Sequence, residues 1–154
     1  MEMDKKARGA LALGYFTDGY NCAQAVTLAF ADLVPVPRDA LLRLSSSFGG
    51  GMGRLREVCG AVTGMFIIAG LLYGYDTPEE GDIKKAHYAR IQDLAKRFEA
   101  EKNSYICRDL LGLSEQRQDP TPAARTKEYY ETRPCPHLVQ FAAELLAEYI
   151  TEQE

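Results

Sequence analysis

The chain has 154 residues, 46% of them apolar and 26% charged, with a net charge of −4. That length can bury a core without staples, and the composition excludes a disordered chain. The mild acidity gives no support to a nucleic-acid partner. The longest apolar run, residues 65–73, is far shorter than the roughly 20 residues a membrane span needs. The N-terminal MEMDKKARGA carries charges without the apolar segment of an export signal behind them. The expectation is one cytoplasmic domain over residues 1–154, with no membrane span and no nucleic acid. A reducing compartment makes four structural disulfide partners unusual, so the cysteines need another account.

Residues 4–16 predict a first helix, with Ala7, Leu11 and Tyr15 recurring on one face, and Asp18-Gly19 marks a turn. Asn21 caps a second helix from residue 22 to about 33, with Val26 and Phe30 on its apolar side and Pro35 and Pro37 ending it. A short third helix over residues 39–46 precedes the loop Phe48-Gly49-Gly50-Gly51-Met52-Gly53. Residues 58–73 are almost wholly apolar and too long for a typical strand. They read as a central buried helix whose Gly60, Gly64 and Gly70 allow close approach of a neighbouring backbone.

Thr77-Pro78-Glu79-Glu80 starts a long amphipathic helix ending near Lys102, with Ile83, His87, Ile91, Leu94 and Phe98 as its stripe. Ser104 caps a short turn of helix through Cys107 to Leu111, stopped by Gly112. Residues 114–127 are polar, hold Pro120 and Pro122, and read as a surface connection. Residues 137–150 form the last helix, with Leu138, Phe141, Leu145 and Tyr149 on one side. The Tyr105 and Tyr129 regions leave room for two strands without demanding them. The fold class expected is all-α, a single-domain bundle of five to six helices.

Cys22, Cys59, Cys107 and Cys135 form no C-x-x-C pair, which argues against a thioredoxin-type motif and a zinc ribbon, and there is no C-x-x-C-H for covalent haem. Their contexts are nevertheless alike. Cys22 follows the Asn21 cap, Cys59 opens the central helix, Cys107 lies after Ser104, and Cys135 precedes Pro136. Four cysteines near four helix starts is a chemical pattern, because unpaired amides and the helix dipole favour a thiolate. Arg54 and Arg56 near Cys59, Arg108 beside Cys107 and Arg133 near Cys135 add positive charge. The plainer alternative is that a free cysteine is a small buried apolar side chain, as Cys22 beside Val26 could be. The glycine loop lacks both the preceding strand and the following Gly-Lys-Ser/Thr of a phosphate cradle, and reads as a tight reversal ahead of Cys59.

Phe48-Gly-Gly-Gly-Met-Gly-Arg54 followed by Cys59-Gly60-Ala61-Val62-Thr63-Gly64 resembles the C_GCAxxG_C_C family of small bacterial and archaeal domains, defined by four cysteines and a glycine-containing motif. Cys22 in Asn-Cys-Ala-Gln corresponds to the first cysteine, Cys59 to the motif, Cys107 in Cys-Arg-Asp-Leu-Leu-Gly to the third, and Cys135 in Cys-Pro-His to the fourth. The family label writes Gly-Cys-Ala where this chain has Cys59-Gly60-Ala61. The resemblance implies redox activity through the cysteines, and members tend to be encoded near transporter genes.

Three functions compete. The first is thiol–disulfide exchange or electron transfer through Cys22, Cys59, Cys107 and Cys135, with Cys59 the expected attacker, Cys22 or Cys107 resolving, and a redox partner protein or small thiol as the other party. It requires no cofactor. The second is a zinc or iron–sulfur site on the same four cysteines, with His137 as an added ligand and His87 a weaker candidate, more often a surface or core-edge residue. The third is a non-enzymatic domain associated with a transporter, or a homodimer using exposed apolar area on the long helix. Four cysteines permit three complete pairings, and sequence does not choose among them.

Overall fold

The computed structural model describes residues 3–78, 81–113 and 118–154. Local signals set most of the helix starts. Asp4 caps α1 (Lys5–Thr17), its side chain accepting from the amides of Lys6 at 3.0 Å and Ala7 at 3.2 Å. Asn21 caps α2 (Cys22–Leu28) through a capping box. Its side chain accepts from the Gln24 amide, and the Gln24 side chain accepts from the Asn21 amide, so two orphaned donors are satisfied reciprocally. Pro37 leads into α3 (Arg38–Ser46). The apolar run forms α4 (Gly60–Tyr73), followed by α5 (Gly81–Lys102). Next come α6 (Cys107–Leu111), ended by Gly112 at φ 68°, α7 (Lys127–Thr132), and α8 (Cys135–Glu152), which opens on Pro136.

Among the described residues the architecture is helical, with no strand. Val58 and Ile106 make one isolated antiparallel bridge. These eight helices exceed the expected five to six, the excess lying in short pieces such as α6 and α7. The expected second helix divides into α2 and a 3₁₀ turn at Ala31–Leu33. The break has a physical reason: the Arg8 guanidinium donates to the Ala29 carbonyl at 2.7 Å and pairs with Asp32. The Tyr129 region, left open to a strand, is instead α7, whose start is capped by the Thr126 hydroxyl accepting from the Tyr129 amide at 3.1 Å. Ser104 does not cap α6 directly, since Ile106 holds the cap position. The Ser104 hydroxyl accepts from the Ile106 amide and donates to Asp109. The expected helix start at Thr77-Pro78-Glu79-Glu80 and the connection at residues 114–127 fall partly outside the described residues.

The core gathers Phe16, Phe30, Met65, Phe98 and Leu146, all fully buried. Side chains of this kind contribute on the order of 1.5–3 kcal/mol each on burial. α4 is apolar all round and correspondingly buried from Gly60 to Met65. α1 lies against α8, and α2 against α4. The face α1 turns inward is not the expected Ala7, Leu11 and Tyr15 but Gly9, Ala12 and Phe16, with Leu11 left 43% exposed. Gly9 explains the rotation. A Cβ there would lie 2.6 Å from Cγ of Glu144 on α8, so the two helices meet where the side chain is missing. On α5 the stripe holds at His87, Leu94 and Phe98, while Ile83 is exposed. No helix among the described residues is long and apolar enough to cross a membrane.

The α2–α4 contact depends on two glycines. A Cβ on Gly60 would lie 2.8 Å from the Phe48 carbonyl oxygen and 3.1 Å from the Cys22 Cβ. One on Gly64 would lie 2.9 Å from the Val26 Cβ. Gly70, on the same helix, has nothing within 4 Å. Urea unfolding should therefore show Gly60→Ala and Gly64→Ala losing about 1–3 kcal/mol through overpacking. Gly70→Ala should gain about 0.5–1 kcal/mol through helix propensity. Equal effects at all three sites would refute the close-packing account.

Candidate functional site

The tight α2–α4 contact sets Cys22, the first residue of α2, beside Gly60, the first of α4. Cys59 stands just before, at the N-cap position rather than inside the helix. The Val58–Ile106 bridge then fixes Cys107. The Cys59 amide donates to the Tyr105 carbonyl at 2.8 Å, and the Cys107 amide donates to the Glu57 carbonyl at 2.6 Å. Gly51 makes room on the other side, since a Cβ there would lie 2.6 Å from the Cys107 Cβ. Cys135 is the first residue of α8, two residues earlier than the sequence predicts. All four cysteines thus sit at helix starts, and all four line one cavity of about 380 Å³. Cys59, Cys107 and Cys135 are buried, Cys22 is partly exposed, and none is disulfide-bonded.

The shared position does not produce a shared chemistry. Burial pushes the Cys59 thiol up to about 12, although the amides of Ala61 and Val62 act to lower it. Burial also raises Cys107, against the Arg56 guanidinium, whose Nη1 lies 3.3 Å from its sulfur. Cys135 is different and falls to about 6. Donation from the Cys22 thiol is the largest cause, opposed by burial and assisted by the Tyr129 hydroxyl and the charges of Arg133 and Arg125. Cys22 is correspondingly raised, chiefly because its proton is shared with Cys135 and secondarily by burial. The thiolate belongs on Cys135 rather than Cys22, because the phenol and both guanidiniums act on Cys135. A helix start alone does not overcome desolvation; extra donors and charges do.

The cysteine expected to attack, Cys59, is thus held as a thiol by its burial. Of the arginines the sequence associates with cysteines, Arg56 contacts Cys107 rather than Cys59, and Arg108 turns toward Asp109 at 3.9 Å. Sequence reasoning missed Tyr129 and Arg125. Arg125 is tied to the far end of α1, donating to the carbonyls of Phe16 at 2.9 Å and Tyr20 at 3.1 Å. No local sequence signal marks a contact across that separation.

His137 is exposed and does not line the cavity. His87 is buried on α5 beside Arg90 and Tyr75, away from the cysteines, and is held below its usual value by burial and by Arg90. Among the described residues, no three His, Cys, Asp or Glu side chains are grouped so as to hold one metal ion.

No curated protein and no solved structure is similar enough to this chain to match. The model of one family matches residues 20–149, a span that includes all four cysteines, the glycine turn and every element around the cavity. That family is described as "Putative redox-active protein (C_GCAxxG_C_C)", and the chain belongs to it.

Proposed function

We propose that the protein carries out thiol–disulfide exchange, with Cys135 as the attacking thiolate and Cys22 as the resolving thiol. The observation that carries this reading is that Cys22 and Cys135 line one cavity as free cysteines, and each acts on the other so that Cys135 is lowered and Cys22 raised. The Cys135 sulfur attacks one sulfur of a substrate disulfide, forming a mixed disulfide and expelling the first thiolate, which takes up the Cys22 proton. The Cys22 sulfur then attacks the Cys135 sulfur, closing the Cys22–Cys135 disulfide and releasing the second leaving group as a thiolate. The substrate disulfide gains two electrons and the pair loses two. A small thiol or a partner dithiol returns the pair to its reduced form by the reverse exchange. Cys59 and Cys107 remain cavity thiols in this reading, poor nucleophiles at neutral pH because burial raises both. One core cluster running from Ala12 to Ile150 supports treating residues 1–154 as a single domain. A zinc or iron–sulfur centre is not favoured by any grouping of the described side chains.

Mild oxidation with an excess of a small disulfide, followed by alkylation and mass analysis, tests the pairing. The expected product is about 2 Da lighter than the reduced chain, with Cys22 and Cys135 linked in the peptide map. Cys22→Ser should stop at a mixed disulfide on Cys135. Four alkylatable thiols after oxidation would overturn the reading.

Alkylation of Cys135 should depend on pH in a definite direction. A lowered thiol is deprotonated above its pKa, so the iodoacetamide rate should rise through about pH 6 and level off above it. An ordinary cysteine would rise through about 8.5. Cys22→Ala removes the largest donor to the thiolate and should move the half-point upward. Tyr129→Phe should do the same by a smaller amount. A wild-type half-point near the ordinary value would show that the pair does not hold a thiolate.

A further inference from the structure

The cavity holding the cysteines is also a concentration of positive charge in a chain of net charge −4. Arg54, Arg56, Arg125 and Arg133 line it, and among the described residues no aspartate, glutamate or histidine does. The described contacts of these guanidiniums are neutral. Arg54 donates to the Asp119 carbonyl at 2.7 Å and to Gln118 Oε1 at 3.2 Å. Arg56 donates twice to the same Gln118 oxygen, at 2.9 and 2.6 Å. Arg125 stands 4.1 Å above the Phe16 ring, and Arg133 stands 5.2 Å from the Tyr129 ring. None of the ion pairs among the described residues involves these four. The Asp119 carboxylate, outside the lining, accepts from the Thr121 amide at 2.8 Å.

The Cys135 thiolate offers one negative charge to Arg125 and Arg133, while Arg54 and Arg56 have no anionic contact among the described residues. Arg56 is only 4% exposed, and a buried charge needs a partner. Arg54 is held below its usual value by partial burial and by the charges of Arg56 and Arg133, opposed by the Asp119 carboxylate. The backbone that places these two arginines is itself strained. Gly50, Gly51 and Gly53 take positive φ at no steric cost, but Met52 (φ 69°), Arg54 (68°) and Arg56 (60°) do not. The N-terminal ends of the long helices α4 and α8, at Cys59 and Cys135, add further positive potential. The lining also includes apolar side chains, with Leu110, Leu111, Pro120 and Leu138. Guanidiniums together with an apolar lining suit an organic anion.

We propose that the cavity selects a low-molecular-weight disulfide whose thiols carry carboxylates. The arginines hold the carboxylates, the apolar lining takes the organic body, and the S–S bond lies against Cys135. This rests on the Cys135–Cys22 exchange described above and names its substrate. The balance is that of the same reaction: one substrate disulfide, the Cys135 thiolate and the Cys22 thiol give one carboxylate-bearing thiol, one carboxylate-bearing thiolate and the Cys22–Cys135 disulfide. A small molecule is favoured over a protein disulfide because Cys135 is 8% exposed and lies inside the cavity, where a folded partner's S–S bond does not reach.

The reduced full-length chain is mixed in turn with glutathione disulfide (anionic), 2-hydroxyethyl disulfide (neutral) and cystamine (cationic). Each oxidation rate is divided by that of dithiothreitol with the same probe, which removes intrinsic reactivity. The normalised rates should fall in that order, with about tenfold or more between glutathione disulfide and cystamine, and the spread should shrink as salt is added. Arg54→Gln should narrow the spread, and Arg54→Lys should restore part of it. The wild-type comparison decides even if a variant does not fold. Equal normalised rates for the three probes would overturn the anion selection and leave the dithiol reading standing. No exchange with any of them would overturn the dithiol reading itself.

Discussion

The arrangement depends on the absence of two side chains. At Gly60 and Gly64, α4 approaches α2 so closely that a single methyl group would collide with backbone and with the Cys22 and Val26 side chains. That contact brings the starts of α2 and α4 to one place. Together with the Val58–Ile106 bridge, it also fixes where α6 begins. Without it the four cysteines would remain at four helix starts but would not share a cavity. The motif glycines are thus packing residues whose effect is felt at the sulfurs.

Two opposing effects then decide which sulfur is ionised. Helix-start amides and dipoles favour a thiolate at each cysteine, while burial disfavours it. At Cys59 burial wins, and at Cys107 it wins even against the nearby Arg56. At Cys135 the balance reverses because a thiol, a phenol and two guanidiniums act on one atom. Neither tendency alone gives the result; their local sum does.

How much of this could be read from the sequence follows from how local each interaction is. The Asn21 cap, the Gly112 stop and the four cysteines at helix starts are contacts within a few residues, and they were legible. So was the apolar run that became α4. The inward face of α1 was not, because Gly9 is selected by Glu144 and Gln140 on the distant α8. The start of α7 carried a signal in Thr126 that periodicity did not weigh. Cys59 stands out as attacker in the sequence because helix position can be inferred there, whereas the depth of burial that raises its thiol requires the packed fold. Tyr129 and Arg125 reach the site only through long-range contacts.

In the proposed exchange, the single proton that Cys22 directs at Cys135 has a consequence for the direction of electron flow. An ordinary pair of thiols loses two protons with its two electrons, so its potential falls by about 60 mV per pH unit, twice the ~30 mV per pH unit expected when one proton is lost. Above about pH 6 the Cys22–Cys135 pair has only one proton to give up. Its potential therefore changes half as steeply as that of a small thiol around it. As the surroundings become more acidic, ordinary disulfides gain oxidising strength faster than this pair does, and electrons move more readily from the protein to them. Alkalinity favours the return journey, so the proton shared by two sulfurs makes the direction of exchange sensitive to pH.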